Sequence, residues 1–140
     1  MPYVYRKSFF NKHLKDYARA YLNVLPPEVT CLVSMGSSGC AIASAMIALA
    51  TDRDLHNLYV KKQSEVSHSG IGGQFNHVGE VTAIVDDFID TGDTVRALAR
   101  VARERTQDVR YCLTVRSFTA DEVCSKLNIV SIIVEDKHLP

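Results

Sequence analysis

The sequence predicts an α/β domain over residues 1–140, built on a mainly parallel, doubly wound sheet. Three observations lead there. Short apolar runs alternate with longer segments of helical period, the pattern of strands joined by crossover helices. At 140 residues and 46% hydrophobic content, the chain is of the size that buries one core. All seven glycines lie between Gly36 and Gly92, while the prolines stand at Pro2, Pro26, Pro27 and Pro140, so permissive backbone is concentrated in the middle.

The elements follow in order. Ser8 to Leu22 carries Phe9, Phe10, Leu14, Tyr17, Ala18, Tyr21 and Leu22 near one helical stripe, and Pro26-Pro27 stops it. That stripe reads as core, or alternatively residues 1–28 form a small hood beside it. Val29 to Met35 is a strand, Gly36-Ser37-Ser38-Gly39 a loop, and Cys40 to Ala50 a helix of small residues. Leu55 to Val60 is a second strand. Lys61 to Gly79 lacks a period and holds four glycines; a loop of that length is commonly a functional lid, and a hairpin within it is one option. Val81 to Val85 gives a third core strand, and Thr94 to Arg105 a helix with Val95, Leu98, Ala99 and Ala102 on one face. Tyr111 to Val115 and Ile129 to Val134 are two further strands, with a helix, Thr119 to Leu127, between them. Right-handed crossovers leave few ways of arranging this order.

Charge narrows the function. Sixteen Lys and Arg balance sixteen Asp and Glu, so no overall positive field gathers nucleic acid or holds an anionic membrane. The longest strongly apolar stretch, Cys40 to Ala50, is too short to span a bilayer, and the N-terminus lacks the order of a secretory signal. A cytoplasmic protein is expected. Cys31, Cys40, Cys112 and Cys124 sit singly, without a C-x-x-C pair or a His at metal-ligand spacing, and read as reduced thiols. His13, His56, His77 and His138 have no partners at a diagnostic spacing and read as surface or packing residues.

The chemistry concentrates in I-V-D-D-F-I-D-T-G-D-T, Ile84 to Thr94. A strand delivers Asp86 and Asp87 at its carboxyl end, where open parallel sheets bind ligands. Four carboxylates, Asp86, Asp87, Asp90 and Asp93, fall within eight residues and require compensation by water, hydroxyl donors or a cation. A ribose diol and Mg2+ would supply both. The backbone N–H groups of the following turn and first helical residues, with the helix dipole, suit one phosphate. Gly92 permits the tight turn, and Thr91 and Thr94 offer hydroxyls. The alternative is that Asp87 and Asp90 are solvated loop acids and that Asp93 or Thr94 caps a helix.

This segment resembles the phosphoribosylpyrophosphate (PRPP) motif of type I phosphoribosyltransferases. The resemblance covers roughly Val29 to Val115 and implies a phosphoribosyltransferase-type, Rossmann-like sheet. It also implies that Asp86 and Asp87 hold the ribose hydroxyls and Mg2+, that Asp90 to Thr94 wrap the 5-phosphate, and that Asp90 acts as a general base in purine-using members. Asp93 departs from the family, which often has Gly or a cation there; a carboxylate beside a phosphate is tolerable if it points outward as a cap.

Two other segments fit the same resemblance. Met35-Gly36-Ser37-Ser38 would meet pyrophosphate through backbone N–H groups, although a tight turn with serine caps explains it too. Lys61 and Lys62 open the stretch K-K-Q-S-E-V-S-H-S-G-I-G-G, similar to the mobile catalytic loop of orotate phosphoribosyltransferases, and residues 61–79 would be that loop. His68 and the glycines align, whereas Glu65 or Val66 stands in place of the loop lysine. Lys62 and His68 would then serve catalysis and Lys61 the diphosphate; the plain alternative for the lysines is solvation at a strand end. Glu135-Asp136 ends the last strand on the presumed ligand edge. Neither a Walker nor a dinucleotide glycine pattern occurs. The resemblance thus implies transfer of a 5-phosphoribosyl group between PRPP and a nitrogenous base, purine or orotate-like, by a homodimer with pyrophosphate as co-product. The rival is a non-catalytic PRPP or nucleotide sensor of the same fold.

Overall fold

The computed structural model describes residues 3–60, 71–73, 80–87, 92–105, 108–115 and 119–134; of residues 3–12, 37, 71–73 and 105 only the backbone is described. The elements are α1 (Tyr3–Val24), β1 (Cys31–Met35), α2 (Gly36–Leu49), β2 (His56–Val60), β3 (Ile71–Gly73), β4 (Thr82–Val85), α3 (Asp93–Arg105), β5 (Val109–Val115), α4 (Ala120–Lys126) and β6 (Val130–Val134).

Six strands form one sheet in the order β3-β2-β1-β4-β5-β6. Five run parallel, and β3 pairs antiparallel with β2 at the edge, Val60 opposite Ile71. The pleat sends alternate residues to opposite faces. On one face Cys31, Val33, Leu58, Ile84 and Cys112 meet Val95, Leu98, Ala99 and Ala102 of α3 and Val123 and Cys124 of α4. On the other, Leu32, Ala83, Val85 and Leu113 meet Ala18 and Tyr21 of α1 and Ile42, Ala43 and Met46 of α2. The near-continuous apolar strands are those of a sheet covered on both sides, and full burial of a side chain such as Leu98 stabilises by about 2 kcal/mol.

Several boundaries differ from the sequence expectations for identifiable reasons. The Gly36-Ser37-Ser38-Gly39 stretch, expected as a loop, is the first turn of α2. Glycine and serine favour turns on their own, but here their small size lets the helix start flush against a strand end. The first helix runs beyond both ends of Ser8 to Leu22. Its described portion packs on α2 and the sheet, so Tyr17, Ala18 and Tyr21 belong to the body of the fold. The next strand pair gains length too. β5 begins at Val109 because the Thr82 N–H donates 2.8 Å to the Asp108 carbonyl, extending the pairing with β4. Within 61–79, where a hairpin was one option, β3 is the one described strand, and its antiparallel partner is β2, outside that range, with Val60 opposite Ile71.

The reversal between α1 and β1 is closed from a distance. The Arg53 guanidinium donates to the carbonyls of Pro26 at 2.9 Å, Pro27 at 3.3 Å and Val29, giving acceptors in this turn a charged partner. No helix among the described residues is long and apolar enough to cross a membrane.

Candidate active site

Strand order dictates where a ligand can sit. After β1 the chain moves outward to β2, then returns to place β4 on the other side of β1. β1 and β4 therefore flank the topological switch point, and the segments leaving their carboxyl ends diverge to helices on opposite faces of the sheet. The crevice between them is bounded by the starts of α2 and α3.

From β1 come Met35, Gly36, Ser37 and Ser38. Met35 is extended (φ −143, ψ 142) and its side chain makes no capping bond, while helix geometry leaves the first-turn N–H groups without intrahelical acceptors. Gly39 explains how this turn reaches the site. A Cβ there would lie 2.9 Å from the Val85 carbonyl oxygen and 3.8 Å from the Asp86 Cα. The opening turn of α2 thus rests directly on the end of β4. Behind it, the buried Ser34 hydroxyl lies 3.2 Å from the Cys40 sulfur.

From β4 come Asp86 and Asp87, and their main chain is fixed at every polar group. The Asp86 N–H donates 3.0 Å to the Leu113 carbonyl, and the Asp87 carbonyl accepts at 3.1 Å from the Val115 N–H. Between them, the Asp86 carbonyl accepts at 2.6 Å from the Tyr21 hydroxyl, and the Asp87 N–H donates 2.9 Å to Asp86 Oδ1. Asp86 is only 7% exposed, whereas Asp87 is half-buried at the crevice. Burial, with the Asp87 and Asp86 carboxylates next in importance, pushes the Tyr21 phenol well above its ordinary range. It therefore stays protonated and remains a donor.

The chain reappears at Gly92, whose carbonyl accepts the Arg96 N–H at 2.9 Å as α3 begins. Gly92 stands at φ +90, and a Cβ on it would lie 2.7 Å from a methyl of Val123. Glycine is demanded here by conformation and by space together. Asp93 settles its own anomaly. Its side chain is 86% exposed and pairs with Arg96 at 3.3 Å, so the carboxylate points outward in the first turn of the helix, where the dipole favours it. Thr94 follows, half-buried.

Of the residues singled out in the sequence, the fold brings together Asp86, Asp87, Gly92, Asp93, Thr94, Met35, Gly36 and Ser38 at adjoining strand ends. Lys61, Lys62, Glu65, Val66, His68, Asp90, Thr91, Glu135 and Asp136 lie outside the described residues, as do His77, His138 and the side chain of Ser37. The remaining histidines are occupied elsewhere: His13 lies 4.0 Å from Asp16, and His56 pairs with Glu80 at 2.7 Å. Two contributors were missed. Tyr21 stands in the stripe that reads as core or hood, and neither option points to the acidic strand end; its one signal is that a buried tyrosine hydroxyl needs a partner. Gly39 was read as a turn glycine.

The donor set suits a hard cation. Two adjacent carboxylates, one buried and one half-buried, match magnesium held by one or two carboxylates with the rest of its shell from water and phosphorylated substrate. Among the described residues no group of three or more His, Cys, Asp or Glu could hold a metal unaided.

Together, the strand order, the acidic strand end and the two helix starts define the α/β fold of the type I phosphoribosyltransferases. The orotate phosphoribosyltransferase of Mycobacterium tuberculosis H37Rv, solved with inorganic phosphate, superposes with a TM-score of 0.74 at 16% identity over 89% of this chain and 71% of that one. A phosphoribosyltransferase from Corynebacterium diphtheriae gives 0.69 at 18% identity over 87% and 71%. The adenine phosphoribosyltransferase of Trypanosoma brucei, in complex with AMP, pyrophosphate and ribose-5-phosphate, gives 0.64 at 12% identity over 91% and 66%. No protein-family model and no curated protein matches the sequence.

Proposed function

We propose that this protein transfers a 5-phosphoribosyl group between PRPP and a nitrogenous base, with pyrophosphate as co-product, in a magnesium-dependent reaction. One observation carries the reading: the Asp86–Asp87 pair and the start of α3 leave β4 at the switch point, with the opening turn of α2 seated on that same strand end. A single crevice thus offers carboxylates for a diol, one helix start for the 5-phosphate and another for pyrophosphate.

The residues divide the work. Asp86 and Asp87 bind the ribose hydroxyls and would hold magnesium, which supplies charge neutralisation on the diphosphate. Gly92, Asp93 and Thr94, with Thr91, wrap the 5-phosphate through main-chain N–H groups and hydroxyls. Met35 to Ser38 receive the diphosphate. Positioning and charge stabilisation dominate such a transfer, because an oxocarbenium-like ribose needs aligned partners more than a nucleophile on the protein. Lys61, Lys62 and His68, in the stretch similar to the mobile loop of orotate phosphoribosyltransferases, would cover the leaving group and exclude water. Asp90 would exchange a proton with the base. A cytoplasmic homodimer acting on a purine or an orotate-like base completes the reading. The phosphoribosyl part of this reading is supported by solved structures of similar fold, one in complex with PRPP and one with AMP, pyrophosphate and ribose-5-phosphate.

A second reading, a non-catalytic PRPP sensor, is favoured by Glu65 or Val66 standing where orotate enzymes carry a loop lysine. Pyrophosphate release with a panel of purine and pyrimidine bases, alongside calorimetry of PRPP with and without magnesium, separates the two. Base-dependent release establishes the transferase, and magnesium-dependent binding without turnover establishes the sensor. No PRPP binding in either condition overturns both.

A further inference from the structure

Tyr21 precedes Asp86 by 65 residues and sits on a helix in a different layer from the acidic strand end, yet its fully buried hydroxyl donates 2.6 Å to the Asp86 carbonyl. That carbonyl belongs to the peptide joining the two acids. The other end of the same peptide, the Asp87 N–H, is held by Asp86 Oδ1. A peptide unit is rigid and planar, so fixing both ends fixes the Asp87 nitrogen and Cα; with the Asp87 carbonyl also held by the Val115 N–H, the direction in which the Cα projects its side chain is set. The two flanking bonds, to the Leu113 carbonyl and from the Val115 N–H, come from β5 and belong to the sheet's own pairing. Tyr21 adds a constraint from outside that pairing.

We propose that Tyr21 is a positioning residue for the carboxylate pair: by clamping the Asp86–Asp87 peptide it aims the Asp87 carboxylate at the ribose diol and magnesium, making the docking of α1 a determinant of PRPP affinity. The inference rests on the phosphoribosyl reading of the site. Small errors in such groups are expensive, since a misplacement of about 1 Å can cost about a hundredfold in rate. A satisfied core hydroxyl with no such role would instead affect stability alone.

The test compares the native chain with Tyr21→Phe, which keeps the ring and removes the donor, and with Val29→Ala, a buried neighbour in the same core cluster that touches neither acid in the described contacts. Calorimetric titration with PRPP at saturating magnesium is read beside thermal melting. Tyr21→Phe is expected to weaken PRPP binding by about fivefold or more, the scale of one lost hydrogen bond. Val29→Ala is expected to melt lower with unchanged affinity. Affinity of Tyr21→Phe within about twofold of native overturns the inference while leaving the phosphoribosyl reading intact. Failure of the native chain to bind PRPP overturns both. Should Tyr21→Phe not fold, 3-fluorotyrosine at position 21 retains the shape and alters donor strength; a changed PRPP affinity at an unchanged melting temperature supports the role, and an unchanged affinity overturns it.

Discussion

Gly39 and Val85 approach so closely that a single added carbon on the glycine would lie 2.9 Å from the valine carbonyl oxygen. Two effects oppose each other in Gly39→Ala. Alanine in place of glycine inside a helix gains about 1 kcal/mol, whereas forcing an atom into a packed site costs about 1–3 kcal/mol. The neighbour is main chain of a central strand and cannot swing aside, so the cost wins. Gly39→Ala is expected to lose about 1 kcal/mol or more in denaturant unfolding and to bind PRPP more weakly, because α2 is levered away from β4. Greater stability would contradict this packing.

Gly92 carries two separable constraints, φ +90 and the 2.7 Å approach to Val123. Gly92→Ala should destabilise by about 2 kcal/mol or more, part from left-handed backbone and part from the clash. Combining it with Val123→Ala should relieve the clash but not the backbone strain, so the double variant should show a coupling energy in the range of about 0.5–3 kcal/mol. Strict additivity of the two changes in a thermal-melt cycle would argue against the contact.

Asp87 is half-buried at the crevice, so Asp87→Asn should leave unfolding nearly unchanged while weakening magnesium-dependent PRPP binding by at least about tenfold, or ~1.4 kcal/mol. Asp86→Asn keeps an oxygen able to accept the Asp87 N–H, and so should retain the local backbone while losing charge. Native affinity in both variants, measured by calorimetry, would remove the acids from the binding site.

Alkaline pH should weaken the fold. Burial pushes the Cys31 thiol from an ordinary 9.0 up to about 12 and raises the Tyr21 phenol well above 10.0. In both groups the folded state holds its proton more tightly than the unfolded state. The stabilisation is therefore complete below the unfolded value and declines as pH rises from about 9 through about 12. Urea midpoints should stay level near neutrality, apart from carboxylate and histidine effects, and fall across that window. Cys31→Ala should flatten part of the decline, and an identical slope would show that another group dominates it.

Much of this was legible in sequence, and the rest was not for physical reasons. Apolar runs and their spacing disclosed the doubly wound sheet because strands buried on both faces must be apolar throughout. The acidic strand end was legible because its residues are contiguous: Asp86, Asp87, Gly92 and Thr94 leave one strand and enter one helix. Gly36 to Gly39 follow a strand, as the sequence implies, but open a helix and not a loop, since local preference cannot register that Gly39 must nest against a strand 46 positions later in the chain. The Asp93 carboxylate, awkward in a phosphate loop on paper, turns outward to Arg96. Tyr21 was invisible as a site residue because its partner is a main-chain carbonyl, which carries no identity in a sequence.

The clasp that Arg53 places over the turn before β1 also bears on the order in which the protein can be made. The carbonyl of Val29 waits for a cation 24 residues further along the chain. A nascent chain that has emerged only through β1 has its first helix and first strand but lacks the side chain that holds their reversal shut. The helix bearing Tyr21 meets its remaining partners later still, since Val85, Asp86 and Leu113 all lie beyond Arg53 in the chain.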